Sequence, residues 1–249
     1  MLFDAHVHLG WFSDPAAVAH DAAARELGML AVTVTPDEYL GARKTLAAEK
    51  NVALAAGLHP WRVRDARDAD ALCVLLPETR FVGEIGLDAA PRHAATWDAQ
   101  LAAFERICAT CAETSDPATP KVLSIHAVRC AGTVLDVLER TGAAESCRCV
   151  LHWFSGSSEE LWRAARLGCR FSLGEHSIAT RRGREYARIL PAELLLTETD
   201  LPEGEHSPTT ADDVIASLLR TVVGIAAARA ATAEAVQLQV NANMTALLR

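Results

Sequence analysis

Lysine is nearly missing from this chain of 249 residues: Lys44, Lys50 and Lys121 are the only ones, so arginine supplies most of the 24 basic side chains. Against 32 acidic residues the formal charge is -8, which excludes a broad electrostatic attraction to nucleic acid or anionic membranes. Any hold on a phosphate must then come from local groups such as Arg181, Arg182 and Arg184. Their planar forks suit phosphate better than a point charge does, although a compositional bias of the source accounts equally well for the preference. No run approaches the roughly 20 apolar residues that span a bilayer. The basic start and small-residue cleavage site of a secretory signal are also missing. Cysteine is present in an odd number, seven, at Cys73, Cys108, Cys111, Cys130, Cys147, Cys149 and Cys169. Without zinc-finger spacing or a signal segment, these read as reduced thiols of a cytoplasmic protein, mostly buried.

What is there is a long alternation. Half of the residues are hydrophobic, and short apolar runs recur between helical stretches. The strand candidates are "LFDAHV", "LAVTVT" from Leu30, "VALAAG" from Val52, "FVGEIG" from Phe81, "KVLSIH" from Lys121, "RCVLHW" from Arg148, "CRFSLG" from Cys169 and "LLLTETD" from Leu194. Brief, apolar runs are what strands covered on both faces of a parallel sheet require. Between them, Asp14-Pro15 reads as a helix start with Gly28 as its stop, and "SSEELWRAARLG" carries capping serines, early glutamates and a final Gly168. The tail from about Ser207 reads as two Ala-rich helices. Strand–helix alternation without a compositional break predicts an α/β fold, a single (β/α)8 TIM-type barrel over residues 1–249. An open doubly wound sheet is disfavoured, because no glycine-rich phosphate turn follows the first strand.

In such a barrel the chemistry sits at the C-terminal strand ends. Those ends carry His6 and His8, then His59, Glu84 followed by Asp88, His126, His152, and finally Glu198 and Asp200. His6 and His8 are two apart in a strand and so point the same way. One polar residue at a strand end is ordinary. Such residues at six ends are costly beside an apolar core unless they are paired or coordinated. His6, His8, Glu84, His126, His152 and Asp200 are too many for one tetrahedral ion and suit two divalent cations. Glu84 would bridge them, with His6, His8 and Asp200 on the first and His126 and His152 on the second. Mixed imidazole and carboxylate donors favour zinc or manganese over magnesium. His20, His93, His176 and His206 fall in helices or loops and read as solvated.

"FDAHVHL", "GLHP", "GEIGLD", "SIHA", "LHWFSG" and "TETDLP" together resemble the TatD-like metal-dependent deoxyribonucleases of the amidohydrolase superfamily. The resemblance runs from Phe3 to about Pro202. It implies a metal-dependent hydrolase that cleaves phosphodiester bonds of DNA, with the six residues above as metal ligands and His59 near the scissile phosphate. "LLPETRFVGEIGLD", "LSIHAVRC" and "LHWFSGS" are further similar to the TatD-like component of Qat antiviral defence systems, which implies partner proteins.

Three segments depart from the family pattern: "AAPRHA" after "GEIGLD", Val128 where an arginine is usual with Arg129 one place later, and "LPEGEHSP" after "TETD". All three fall where substrate would be held. The expected chemistry is attack by an activated water, with Asp200 accepting its proton. His59, Arg129, Arg181 and Arg182 would offset charge on the phosphoryl oxygens. Two alternatives remain at this level. One is another amidohydrolase reaction on a small ester, amide or phosphoester, disfavoured because strand 4 carries Glu84 and no lysine for a carbamylated bridge. The other is a catalytically weak, metal-binding subunit of a defence complex.

Overall fold

Each strand predicted from hydrophobic patterning has a counterpart in the structure, a computed structural model that describes residues 2–249. The chain runs β1 (Leu2–Val7), α1 (Pro15–Ala24), β2 (Leu27–Ala31), α2 (Pro36–Thr45), β3 (Val52–Leu54), α3 (Ala69–Leu75), β4 (Phe81–Asp88) and α4 (Trp97–Thr114). It continues through β5 (Val122–Val128), α5 (Ala131–Arg140), α6 (Ala143–Ser146), β6 (Arg148–His152), α7 (Ser158–Arg166) and β7 (Arg170–Leu173). Then come α8 (Glu175–Ala179), α9 (Arg181–Ile189), β8 (Leu195–Thr197), α10 (Ala211–Arg229) and α11 (Ala233–Leu248).

The helix starts follow from local chemistry. The Asp14 carboxylate accepts the Ala17 amide and Pro15 follows it, which satisfies an orphan donor and presets the first turn. Ser157 and Glu160 form a reciprocal capping box at α7, as do Thr210 and Asp213 at α10. Gly168, at φ 76°, lies just past the end of α7. Among the described residues no single helix is long and apolar enough to cross a membrane.

The chain divides into two compact units. The first comprises the residues up to Val32, Leu40–Leu54 and Phe171–Arg249. In it β1, β2 and β3 pair in parallel, as do β7 and β8. Val7, Leu9, Phe12, Leu27, Met29, Val214 and Leu218 belong to one buried cluster here, so α10 covers part of this core. The second unit comprises Thr33–Tyr39 and Ala55–Arg170. Its strands β4, β5 and β6 are parallel neighbours, buried along nearly their whole length. The amphipathic face of α4 buries Phe104, Ile107, Cys108 and Cys111.

The first helix does not run to Gly28; it ends at Ala24, and Gly28 lies inside β2, which starts at Leu27 and not at Leu30. The glycine serves close strand packing, since it is the register partner of Phe3 and a Cβ there would lie 2.5 Å from the Phe3 ring. Leu194, expected in the last strand, instead closes a short 3-10 turn. All seven cysteines are free thiols, and every one except Cys73 is buried.

Candidate functional site

In the first unit the alternation of β1, with the residue just past its end, presents three side chains to the site. Asp4, His6 and His8 are two apart, and all are buried. Asp4 fastens the strand to the segment after β8: its Oδ1 accepts the amides of His6 and Thr199, both at 3.0 Å, and its Oδ2 accepts the Thr199 hydroxyl at 2.5 Å. Burial pushes the Asp4 carboxyl up to about 7, although these hydrogen bonds pull the other way. Two backbone bonds complete the seam, Asp200 N to His6 O at 2.9 Å and His8 N to Leu201 O at 2.8 Å.

That seam delivers Asp200, whose φ of 58° lies in the left-handed region, a conformation non-glycine residues hold only when their surroundings enforce it. Its Oδ1 stands 3.5 Å from His6 Nε2 and 3.3 Å from His8 Nε2. The three donors are close enough for one ion. The Trp11 indole stacks on His8, with ring centroids 4.2 Å apart and planes within 13°. Glu198, from the same "TETD" stretch, is held at 2.5 Å by the Ser172 hydroxyl.

The second unit builds a cluster around one carboxylate. Glu84 on β4 is 2% exposed. Its Oε1 lies 2.8 Å from His126 Nδ1, near the end of β5, and 2.9 Å from Nε2 of His152, the last residue of β6. His59 Nε2 stands 3.3 Å away. Burial alone would raise the Glu84 carboxyl, but the His59, His152 and His126 imidazoles outweigh it and hold the group well below the usual range. Four residues along the same strand, and so on the same face, Asp88 faces His126 Nε2 at 3.6 Å and accepts the Trp61 indole N–H at 2.5 Å. Burial pushes Asp88 up, but hydrogen bonding with His126, Trp61 and Ala90 holds it below the usual carboxylate range. Burial disfavours charge on His126, yet Asp88 and Glu84 raise its pKa.

These donor sets fit divalent cations. Imidazole nitrogens that converge on a buried carboxylate oxygen are the mixed donors transition metals take, and His126 Nδ1 and His152 Nε2 both lie within 2.9 Å of Glu84 Oε1. His59 is the exception within its cluster. It is close enough to share an ion with Glu84 and His126, but its Nδ1 accepts the Trp61 amide at 3.1 Å, which leaves the proton on Nε2. His59 is therefore arranged as a hydrogen-bond donor.

The structure thus gathers His6, His8 and Asp200 in one cluster and His59, Glu84, His126 and His152 in another. The arginines lie outside both: Arg129 is exposed just past β5 at φ 59°, and Arg181 and Arg182 are exposed in the first turn of α9. His20, His176 and His206 are exposed, as expected. His93 is only partly solvated: it stacks on Trp61 at 5.5 Å and stands 3.7 Å from Asp88. Sequence reasoning also left Asp4, Trp11 and Trp61 without a role. Their signal was spacing, since each lies within three residues of a cluster histidine.

A family model described as TatD related DNase matches residues 3–249. A metal-dependent hydrolase, TatD, of Mycobacterium tuberculosis is 32% identical over 81% of this chain and 80% of its own length. The 3'-5' ssDNA/RNA exonuclease TatD of Edwardsiella piscicida is 35% identical over 59% of this chain, and the match spans 56% of that relative's length. In three dimensions, a TatD homolog from Escherichia coli K12 superposes with a TM-score of 0.74 at 20% identity, covering 99% of this chain and 97% of the other. The fold is therefore an α/β fold of the TIM-barrel type found in these structures.

Proposed function

From its membership of the TatD family of metal-dependent hydrolases, to which this chain belongs, we propose that it is a deoxyribonuclease, cleaving phosphodiester bonds of DNA with residues 1–249 as one hydrolase domain. The observation that carries this reading is the gathering of buried imidazoles about Asp200 and Glu84. His6, His8 and Asp200 would hold one divalent cation, and Glu84, His126 and His152 a second, drawn from zinc, manganese or magnesium. Such cations, when bound, offset charge on the phosphodiester and make a water acidic enough to attack near neutral pH.

The chain's own groups supply the rest. The Asp200 side chain is 21% exposed where the other cluster carboxylate is 2%, so it is the one placed to accept a proton from the attacking water. His59, with its proton on Nε2, donates to a phosphoryl oxygen as charge builds there. Glu84 remains ionised and anchors its imidazoles. Arg129, Arg181 and Arg182, all exposed, take flanking phosphates in this reading.

The activity named for the Edwardsiella relative supports a nucleic-acid substrate. The seven free thiols support a reducing, cytoplasmic setting. The likeness to Qat components extends the proposal to partner proteins in antiviral defence. Elemental analysis of the purified protein beside Glu84→Gln and His8→Ala tests the assignment. About two divalent ions per chain are expected, with each variant losing at least one; full metal content in both variants would refute it.

A further inference from the structure

The second unit is as regular at its strand starts as at its strand ends. Arg80 immediately precedes β4, Lys121 immediately precedes β5, Arg148 opens β6 and Arg170 opens β7. All four belong to that unit. The other strands open at Leu2, Leu27, Val52 and Leu195, none of which is basic or follows a basic residue. The basic starts are therefore a property of one end of one unit.

The ladder brings these residues level. The Val122 amide donates to Arg80 O at 2.9 Å and the Arg148 amide to Lys121 O at 2.8 Å, while Phe81, Val122 and Arg148 are register partners. Cys149 and Cys169, each next in sequence to one of the arginines, hydrogen-bond thiol to thiol. Lys121 turns its ammonium group to the Leu76 and Thr79 carbonyls, which leaves three half-buried guanidinium groups at this end. Arg80 donates from Nε to Pro120 O at 3.5 Å and lies 5.1 Å from the Phe81 ring centroid. Arg170 Nε is buried and finds no hydrogen-bond partner among the described residues. Burial, and after it the Arg148 charge, pushes both Arg80 and Arg170 below the ordinary arginine value.

Like charges drawn together at a half-buried edge destabilise the fold unless an anion joins them. The donors specify that anion. Each guanidinium is a planar fork that can meet two oxygens at once, so three forks exceed what one carboxylate, with two oxygens and a single charge, can serve. A phosphate group offers more oxygens and a charge of about -1.5 to -2 near pH 7. It is not the phosphate of the metal clusters. Four residues separate Arg148 from His152, about 13 Å along the strand.

We propose that Arg80, Arg148 and Arg170 form an anion site for a phosphate group, free or ester-linked, at the opposite ends of the strands that carry the Glu84 cluster. The site stands apart from the nuclease reading and does not depend on it.

Calorimetric titration and thermal unfolding of the metal-loaded protein with inorganic phosphate test the site. Wild-type protein should bind phosphate and unfold at a higher temperature with it than in chloride of equal ionic strength. Arg148→Gln and Arg170→Gln should each weaken binding by about 10- to 150-fold, the range for a hydrogen bond to a charged group. Arg170→Met should unfold no earlier than wild type in chloride yet lose the phosphate shift, which a purely structural arginine would not allow. Glu84→Gln should still show the shift. Thymidine monophosphate, titrated in the same way, identifies the source: tighter binding than phosphate marks a nucleotide and weaker binding a free anion, each with the same dependence on Arg148 and Arg170. No phosphate shift in the wild type, a shift that survives in both arginine variants, or one lost only in Glu84→Gln would overturn the proposal.

Discussion

Asp88 lies outside the proposed metal-ligand set and is placed to govern it. Its carboxylate oxygens are engaged by the Trp61 indole at 2.5 Å and the Ala90 amide at 2.8 Å, and it faces His126 Nε2 at 3.6 Å. A carboxylate behind a ligating imidazole fixes the ring and raises its basicity, and losing such a partner costs about 10- to 100-fold in metal affinity. Asp88→Asn preserves shape and removes charge, so its divalent-ion affinity, measured by competition with a chromophoric chelator, should fall by about that factor. An unchanged affinity would mean that Asp88 serves only to hold Trp61. The thiols give a second residue-scale test. Burial pushes Cys130 up to about 12 and Cys108 well above its ordinary value, and thiolate is the reactive form. An aromatic disulfide reagent should react rapidly in the native protein with Cys73 alone, the one cysteine that is not buried, and with all the others after denaturation.

Among the elements, β4 and β5 set the second cluster, and they come together through a glycine. Gly86 pairs with His126 across the two strands at φ 142°, and a Cβ there would lie 2.1 Å from the His126 carbonyl oxygen. Gly86→Ala must therefore displace β5 at the site. A loss of about 1–3 kcal/mol in urea unfolding is expected from the overpacking, along with weaker metal binding. Lys121, just before β5, gives its ammonium group to the Leu76 and Thr79 carbonyls at 2.6 and 2.7 Å. Lys121→Met should strand those buried acceptors, at a cost of about 1–3 kcal/mol. Much of this element scale was legible in the sequence. The β1 range Leu2–Val7 is the "LFDAHV" run itself, and the strand ends carry the expected histidines and carboxylates, because burial on both faces leaves an uninterrupted apolar run and a polar end. Gly28 was misread, since its purpose is to admit the Phe3 ring from a neighbouring strand, and no local pattern encodes a neighbour. His93 was misread for the same reason: it lies in a 3-10 turn, but the ring it covers belongs to Trp61, more than 30 residues earlier in the sequence.

For the molecule as a whole, a formal charge of -8 sets the terms on which it can meet a polyanion. Affinity for DNA must come from bound cations and a few arginines, so stripping divalent ions should weaken binding more than moderate salt does, the reverse of a broad basic surface. A fluorescent oligonucleotide followed by anisotropy, with chelator and with added salt, checks this. The central claim is that imidazole–carboxylate clusters at the strand ends make this TatD-family hydrolase a metal-dependent nuclease. Its most direct test is hydrolysis of a single-stranded oligodeoxynucleotide by protein stripped of metal, then resupplied with manganese, beside His126→Ala treated in the same way. The wild-type protein should be inactive when stripped and recover with manganese, while His126→Ala remains at least about 100-fold slower, a loss of roughly 2.7 kcal/mol of transition-state stabilisation. Activity that survives removal of metal, or a His126→Ala variant as fast as wild type, would contradict it.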